Sequence, residues 1–445
     1  MSRVPGDGSS TARPDGRATV TGDGLDFASG AFGARIFLIM ASGYLMSYGL
    51  RAINATIAPE LVSEMGLSNS QLGSLTSAYF IAFAAMQLPL GAWLDRFGPR
   101  RVNAVLMGVA GGGCLVFASA PSVEWLWIGR ALLGVGFAAG LMASFALYRT
   151  WFAPHQQTRL AAWIMTVGTC GVLIATLPVR AMLAVMSWRG VVYFCAAVLV
   201  SIAVLMWFGL PRTREPDGQV SRSFLRLLGG YTRVVRNSFF WRMVLLSGAV
   251  HGGFVAMQTL WLGPWFTRVL QMTPQQSASW LFVFNATLLG SYLLAGYLAP
   301  RLGTREAATV RLAAFAALLS VGLVTLAAIA PSVAGVWAWL LIAAISTVFP
   351  PIQARVGMSF PKDLAGRGLT AYNLVLFLAV FVIQAGLGVA MDWLIVSGMA
   401  HDDAFRASLG GIAVVQLASW LLFIFWPGQA EAALPRAGPE PAGPA

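Results

Sequence analysis

The chain has 445 residues, of which 58% are hydrophobic and only 10% charged, and its mean hydropathy is +0.72. Soluble chains carry about 25% charged and roughly 45–50% apolar residues, so this composition excludes a disordered protein and argues against an ordinary cytosolic enzyme. The net charge is +12, but Lys362 is the only lysine and the arginines stand between apolar runs. That pattern reads as membrane topology rather than as a nucleic-acid surface.

Residues 1–33 are rich in Gly, Ser, Thr, Asp and Arg. They lack the apolar core of a signal peptide and read as a disordered cytoplasmic tail. Apolar runs bounded by Pro, Gly and charge then give six spans at 34–58, 71–93, 101–120, 124–147, 160–182 and 189–210, each near the ~20 residues a bilayer crossing needs. These form a first bundle over 34–210. The polar stretch 211–238 contains Arg212, Arg214, Arg222, Arg226, Arg233 and Arg236 and is the expected cytoplasmic linker. Six more spans lie at 239–262, 277–299, 307–330, 333–353, 367–391 and 405–426, giving a second bundle over 239–426 and a cytoplasmic tail at 427–445.

An even number of spans leaves both termini on one side. With the termini inside, all 29 Lys and Arg except Arg51, Arg130, Arg180, Arg189, Arg268 and Arg406 face the cytoplasm, as the positive-inside rule requires. The opposite loops carry Glu60, Glu64, Glu124, Asp392, Asp402 and Asp403. The expected location is a bacterial inner membrane, crossed many times, with both termini cytoplasmic.

Charges at membrane depth are costly and therefore mark function. In the first span Tyr44, Tyr48 and Arg51 are spaced i, i+4, i+7 and share a helix face. In the seventh, His251, Phe254, Gln258 and Trp261 share another, and His251 and Gln258 lie at one constant offset from Tyr44 and Arg51. Arg51 lies about 17 residues into its span, roughly 25 Å along it, and either faces a cavity or snorkels to head groups. Arg130 in the fourth span either faces the cavity or bonds backbone carbonyls between helices. Tyr372, Asn373 and Gln384 in the eleventh either offer hydrogen bonds to a ligand or tie helices together.

None of the 17 acidic residues lies in mid-span, so the raised-pKa carboxylate common in proton-coupled carriers is missing. His251 is the only mid-span group that titrates near neutrality. Cys114, Cys170 and Cys195 sit inside apolar runs without ligand spacing, which speaks against a disulfide framework or a metal site. No nucleophile constellation and no phosphate-binding loop is present. No catalytic residue, cofactor or metal is expected.

A repeat ties the halves together. The segment beginning Gly91, with Asp95, Arg96, Gly98, Arg100 and Arg101, recurs after the eighth span with Gly296, Arg301, Gly303 and Arg305 at equivalent positions. Parallel six-helix repeats are known from one large transporter class. The first copy resembles the Gly-x-x-x-Asp-Arg-x-Gly-x-Arg-Arg loop of the major facilitator superfamily. Arg130 with Gly134 and Gly136, Trp188-Arg189, and Gly366-Arg367 leading to Asn373, Phe377 and Gln384 are further similarities.

The resemblance implies an all-α fold of twelve transmembrane helices in two pseudo-symmetric bundles that rock about a central site. It also implies a cytoplasmic latch at Gly91, Asp95, Arg96, Gly98, Arg100, Arg101 and Arg301. The two glycines are expected to let helices two and three approach closely. Asp95 is expected to cap the helix that starts near Gly366, with the arginines surrounding its carboxylate or meeting lipid phosphate. The Gly-Pro-x-x-Gly-Gly pattern of drug antiporters is missing from 167–178, and the arginines of the nitrate/nitrite branch on spans two and eight are lacking.

The resulting expectation is a secondary active transporter of a small solute, an organic anion or metabolite. Its substrate contacts are Tyr44, Tyr48, Arg51, Arg130, His251, Gln258, Trp261 and Asn373. The expected partners are that small molecule, a coupling ion (a proton or a counter-anion) and the lipid bilayer, with no nucleic acid, and the carrier acts as a monomer. The alternatives are a proton-linked exporter of hydrophobic compounds and a non-transporting membrane sensor or assembly factor on the same fold.

Overall fold

A computed structural model describes residues 19–20, 26–27, 30–211, 231–302 and 306–426, without the side chains of Asp95 and Arg301 among others. In the expected disordered tail, Thr19–Val20 pairs antiparallel with Asp26–Phe27, with Thr19 opposite Phe27. The first helix starts at Gly30. Of the expected linker, residues 212–230 lie outside the described residues, and 231–235 form a helical turn.

The first half contains α1 (Gly30–Ala52), α2 and α3 (69–97 and 99–118, the two parts of Asn69–Ala118), α4 (Val123–Trp151), α5 (Arg159–Leu183) and α6 (Trp188–Gly209). The second contains α7 (Ser238–Val269), α8 (Pro274–Leu302), α9 (Glu306–Ile329), α10 (Trp337–Gly357), α11 (Lys362–Val396) and α12 (His401–Phe425). Eleven helices among the described residues are long and apolar enough to cross a membrane. The remaining crossing is α2, which lies outside that set. Its Thr76, Ser77 and Gln87 lower its apolarity, yet all three are buried against protein rather than lipid.

Breaks inside the apolar runs are what hydropathy does not show. The first predicted span, 34–58, is corrected to α1 ending at Ala52, a turn at Ile53, and a second helix over Asn54–Met65. Buried Asn54 donates from Nδ2 to Thr76 Oγ1 at 2.8 Å and anchors this corner to α2. Between α2 and α3 the chain reverses at Gly98, whose φ of 76° lies in the region open to glycine. Beyond the corner, Arg189 Nε (2.7 Å) and Trp188 Nε1 (2.5 Å) donate to the Glu64 carboxylate. The Arg189 hydrogen bond is the main reason its pKa is held below the usual glutamate range.

The halves meet along α2 against α11 and along α5 against α8. At the end where α2 begins they are clasped. Asp392 of α11 accepts from the Ser70 amide (2.7 Å), the Asn69 amide (3.2 Å) and Asn69 Nδ2 (2.9 Å). A carboxylate on free amides at a helix N-terminus is favoured by both hydrogen bonding and the macrodipole. Arg268 of α7 completes the clasp by donating to Asn69 Oδ1 at 2.7 Å. Away from this clasp, a side-chain carbon added at Gly91 or Gly366 would meet no atom of the described residues within 4 Å.

Candidate functional site

Tyr44, Tyr48 and Arg51 project from one face of α1, as their spacing requires. Tyr44 Oη lies 3.1 Å from Tyr48 Oη, and the ring centroids are 4.8 Å apart. The Tyr44 ring needs Gly168 of α5, where a Cβ would approach Tyr44 Cε1 to 2.6 Å. Arg51 turns into the protein rather than out to head groups. Its guanidinium carbon is 4.6 Å from the centroid of Tyr48, 5.4 Å from those of Tyr79 and Phe83, and 5.6 Å from that of Phe377. Nη2 donates to Tyr79 Oη at 3.3 Å, while Nε is buried without a hydrogen-bond partner among the described residues. Ring faces stabilise a cation by about 0.5–1 kcal/mol when exposed and ~2 kcal/mol or more when desolvated.

Arg130 is 1% exposed and lies 5.6 Å from the other guanidinium's platform, the Tyr79 ring. Its Nη1 donates to the Leu50 carbonyl at 2.8 Å. That carbonyl lies in the last turn of α1, which the break after Ala52 leaves without the next turn's amides. A cation there is also favoured by the helix dipole. Nε and Nη2 of Arg130 are buried and have no partner among the described residues. The described ion pairs join Arg180 to Glu60, Arg189 to Glu64 and Arg406 to Asp403, so no described carboxylate compensates Arg51 or Arg130.

The second half contributes an imidazole and amides. His251 stacks between Phe254 and Phe349 at 5.7 and 5.8 Å, with Nδ1 buried and unpartnered among the described residues. Gln258 donates to Asn285 Oδ1 of α8 at 2.8 Å from within the π-helical turn Met257–Trp261. Such turns occur frequently at functional sites, and this one packs against α1.

Two expected contacts are engaged within the protein. Trp261 is fully buried, donates to the Gln384 carbonyl at 3.0 Å and sits edge-on to Phe405, so it is a strut in the seam rather than a cavity wall. Asn373 accepts from Gln353 Nε2 at 2.8 Å and ties α11 to α10. Gln384 is fully buried and donates to Thr259 Oγ1 at 3.2 Å, so it too ties helices.

Of the expected latch, Gly98 is explained by its backbone. Among the described residues no atom lies within 4 Å of a side-chain carbon built at Gly91. Arg100 donates to the Trp207 carbonyl in the last turn of α6, and Arg96 stacks on Phe97 at 5.2 Å. The Asp95 and Arg301 side chains lie outside the described residues. Sequence reasoning missed Tyr79, Phe83, Phe349 and Asn285. Aromatic residues in apolar runs carry no signal of their own, although Tyr79 is the one hydroxyl-bearing ring of its span.

Residues 40–384 match the family model described as Major Facilitator Superfamily. A "Probable sulfoacetate transporter" of Cupriavidus necator is 27% identical over 346 residues, covering 74% of this chain and 79% of that protein. A "Probable nitrate/nitrite antiporter" of Thermus thermophilus is 28% identical over 285 residues, or 61% of this chain and 60% of the relative's length. A "Probable L-galactonate transporter" of Escherichia coli is 28% identical over 180 residues, or 40% of this chain and 39% of that protein. Among solved structures, a bacterial homolog of the human lysosomal transporter Spinster, in an inward-facing and occupied conformation, aligns with a TM-score of 0.70. It is 16% identical and the alignment covers 89% of this chain and 97% of that one, a likeness of fold.

Proposed function

The chain belongs to the Major Facilitator Superfamily, as a multi-pass membrane transporter of small solutes and not an enzyme, and from that premise we propose that its solute is a small organic anion. The observation that carries this reading is the pair of buried guanidinium groups, Arg51 and Arg130, on either side of the Tyr79 ring system with unpartnered N–H groups. Desolvating two cations is costly, and an arriving carboxylate or sulfonate supplies both the missing charge and oxygens matched to a planar fork of donors. Arg51 is the direct ligand. Arg130 supports it from behind while holding the end of α1.

The relatives named for sulfoacetate and L-galactonate are consistent with this solute class, and the one named for nitrate/nitrite shares only its negative charge. The clasp at the start of α2 fits one state of an alternating-access cycle in which the halves rock about the site. With the arginine-rich loops in the cytoplasm, the clasped end faces outward, both termini are cytoplasmic and the membrane is the bacterial inner membrane.

Purified protein in liposomes, tested for uptake and counterflow of sulfoacetate, L-galactonate, nitrate and a neutral sugar, checks the proposal. At least one anion is expected to be carried and the sugar left behind. Carriage of the neutral sugar with none of the anions would overturn it.

A further inference from the structure

Three of the four rings around Arg51 come from the first half: Tyr48 on α1, and Tyr79 and Phe83 on α2. The fourth, Phe377, comes from α11 across the seam. Phe377 stacks on Phe80 at 6.0 Å and meets Phe83 edge-on at 4.7 Å, so it moves with the α2–α11 contact. A guanidinium has two faces, and each takes about one ring at contact distance. With four rings at 4.6–5.6 Å from the guanidinium carbon, the approach of an anion's oxygens to its N–H groups is crowded. Consistent with this, Nε of Arg51 is buried and meets no acceptor among the described residues.

We propose that Phe377 is a positioning residue that screens the N–H edge of Arg51 while α11 is docked on α2, so that the second half decides when the first half's cation is available to an anion. This rests on the anion reading above. Each time the seam loosens, Phe377 withdraws and the donors of Arg51 are exposed. When it closes, the rings replace the anion as the partner of the charge. The empty carrier thus keeps a buried cation without a carboxylate, and binding becomes sensitive to the relative position of the halves.

The test is the rate at which phenylglyoxal, an arginine-specific dicarbonyl, modifies Arg51 in the full chain in nanodiscs without solute. It is read by peptide mass spectrometry against the exposed Arg149 as reference. Losing one ring contact should speed Arg51 modification in Phe377→Leu by about 2- to 30-fold, and sulfoacetate binding should tighten by a similar factor. Phe377→Tyr, which keeps the ring, should behave like the parent chain.

An unchanged Arg51 rate in folded Phe377→Leu overturns the proposal. If that variant does not fold, as judged by its melting transition, Phe377→Met is read by the same criterion. If Arg51 is released but neither parent nor variant binds sulfoacetate, nitrate or L-galactonate, the screen stands and the anion reading falls. If the parent binds an anion while neither rate nor affinity moves in the variant, the screen falls and the anion reading stands.

Discussion

In the first half Arg51 and Arg130 lean on Tyr79, whereas the repeat-related part of the second half sets Gln258 against Asn285 and His251 between Phe254 and Phe349. The halves share a six-helix plan but differ in how they distribute polarity. A second pair of cations facing the first would double the desolvation cost and add like-charge repulsion. Amides and an imidazole add no second fixed cation. The buried arginines are thus concentrated in one half, and the other contributes amides, an imidazole and one ring near Arg51, Phe377.

Removing the charge breaks this comparison most severely. Arg51→Ala should weaken anion binding by about 2–5 kcal/mol, or roughly 30- to several-thousand-fold, in a binding isotherm, with the melting temperature little changed. Arg51→Lys should recover only part of the loss, because a point charge lacks the planar fork. An affinity in Arg51→Ala close to that of the parent would remove Arg51 from the site.

Arg130 should show the opposite emphasis. Arg130→Leu leaves the Leu50 carbonyl unpaired at a broken helix end, at a cost of about 1–3 kcal/mol in stability. A lower denaturation midpoint checks this, and an unchanged midpoint with lost anion binding would make Arg130 a ligand instead. In the second half, Gln258→Leu should cost about 0.5–1.5 kcal/mol of stability through its hydrogen bond to Asn285. A denaturation midpoint checks this, and an anion affinity that falls far less than in Arg51→Ala measures the asymmetry.

The smallest expected effect concerns the clasp rather than the site. Asp392→Asn keeps a hydrogen-bonding shape but removes the charge from the α2 N-terminus, worth about 0.3–1 kcal/mol when exposed and up to ~2 when partly buried. Faster thiol labelling of a cysteine placed at the fully buried Ser77 should report the loosened end. Unchanged labelling would show that apolar packing alone holds the halves together there.

Much of the membrane architecture was legible from the chain, and the site was legible only in its polar members. Arg51, Tyr44 and Tyr48 stood out because polar groups are rare in apolar runs. Tyr79 and Phe83 did not, and Phe377 stood out only through the resemblance, because a ring that caps a cation and a ring that faces lipid look alike in sequence. Trp261 misled for the related reason that it shares a helix face with His251 and Gln258. The π-helical turn at Met257–Trp261 shifts the register of α7, and Trp261 ends in the seam against Gln384.

By itself the sequence determined the class of the protein, its many apolar crossings, the uneven distribution of charge between them, the repeat and the rarity of arginines inside the apolar runs. These come from local quantities: apolar run length, charge counts between runs, and helical spacing. Only the tertiary structure decided that Arg51 points inward under rings from both halves, that Arg130 is tied to the end of α1, and that Asp392 clasps one end. Each of those depends on contacts between residues far apart in the chain. No local pattern encodes them, because the same apolar helix faces pack equally well against protein or lipid until the fold assigns a neighbour.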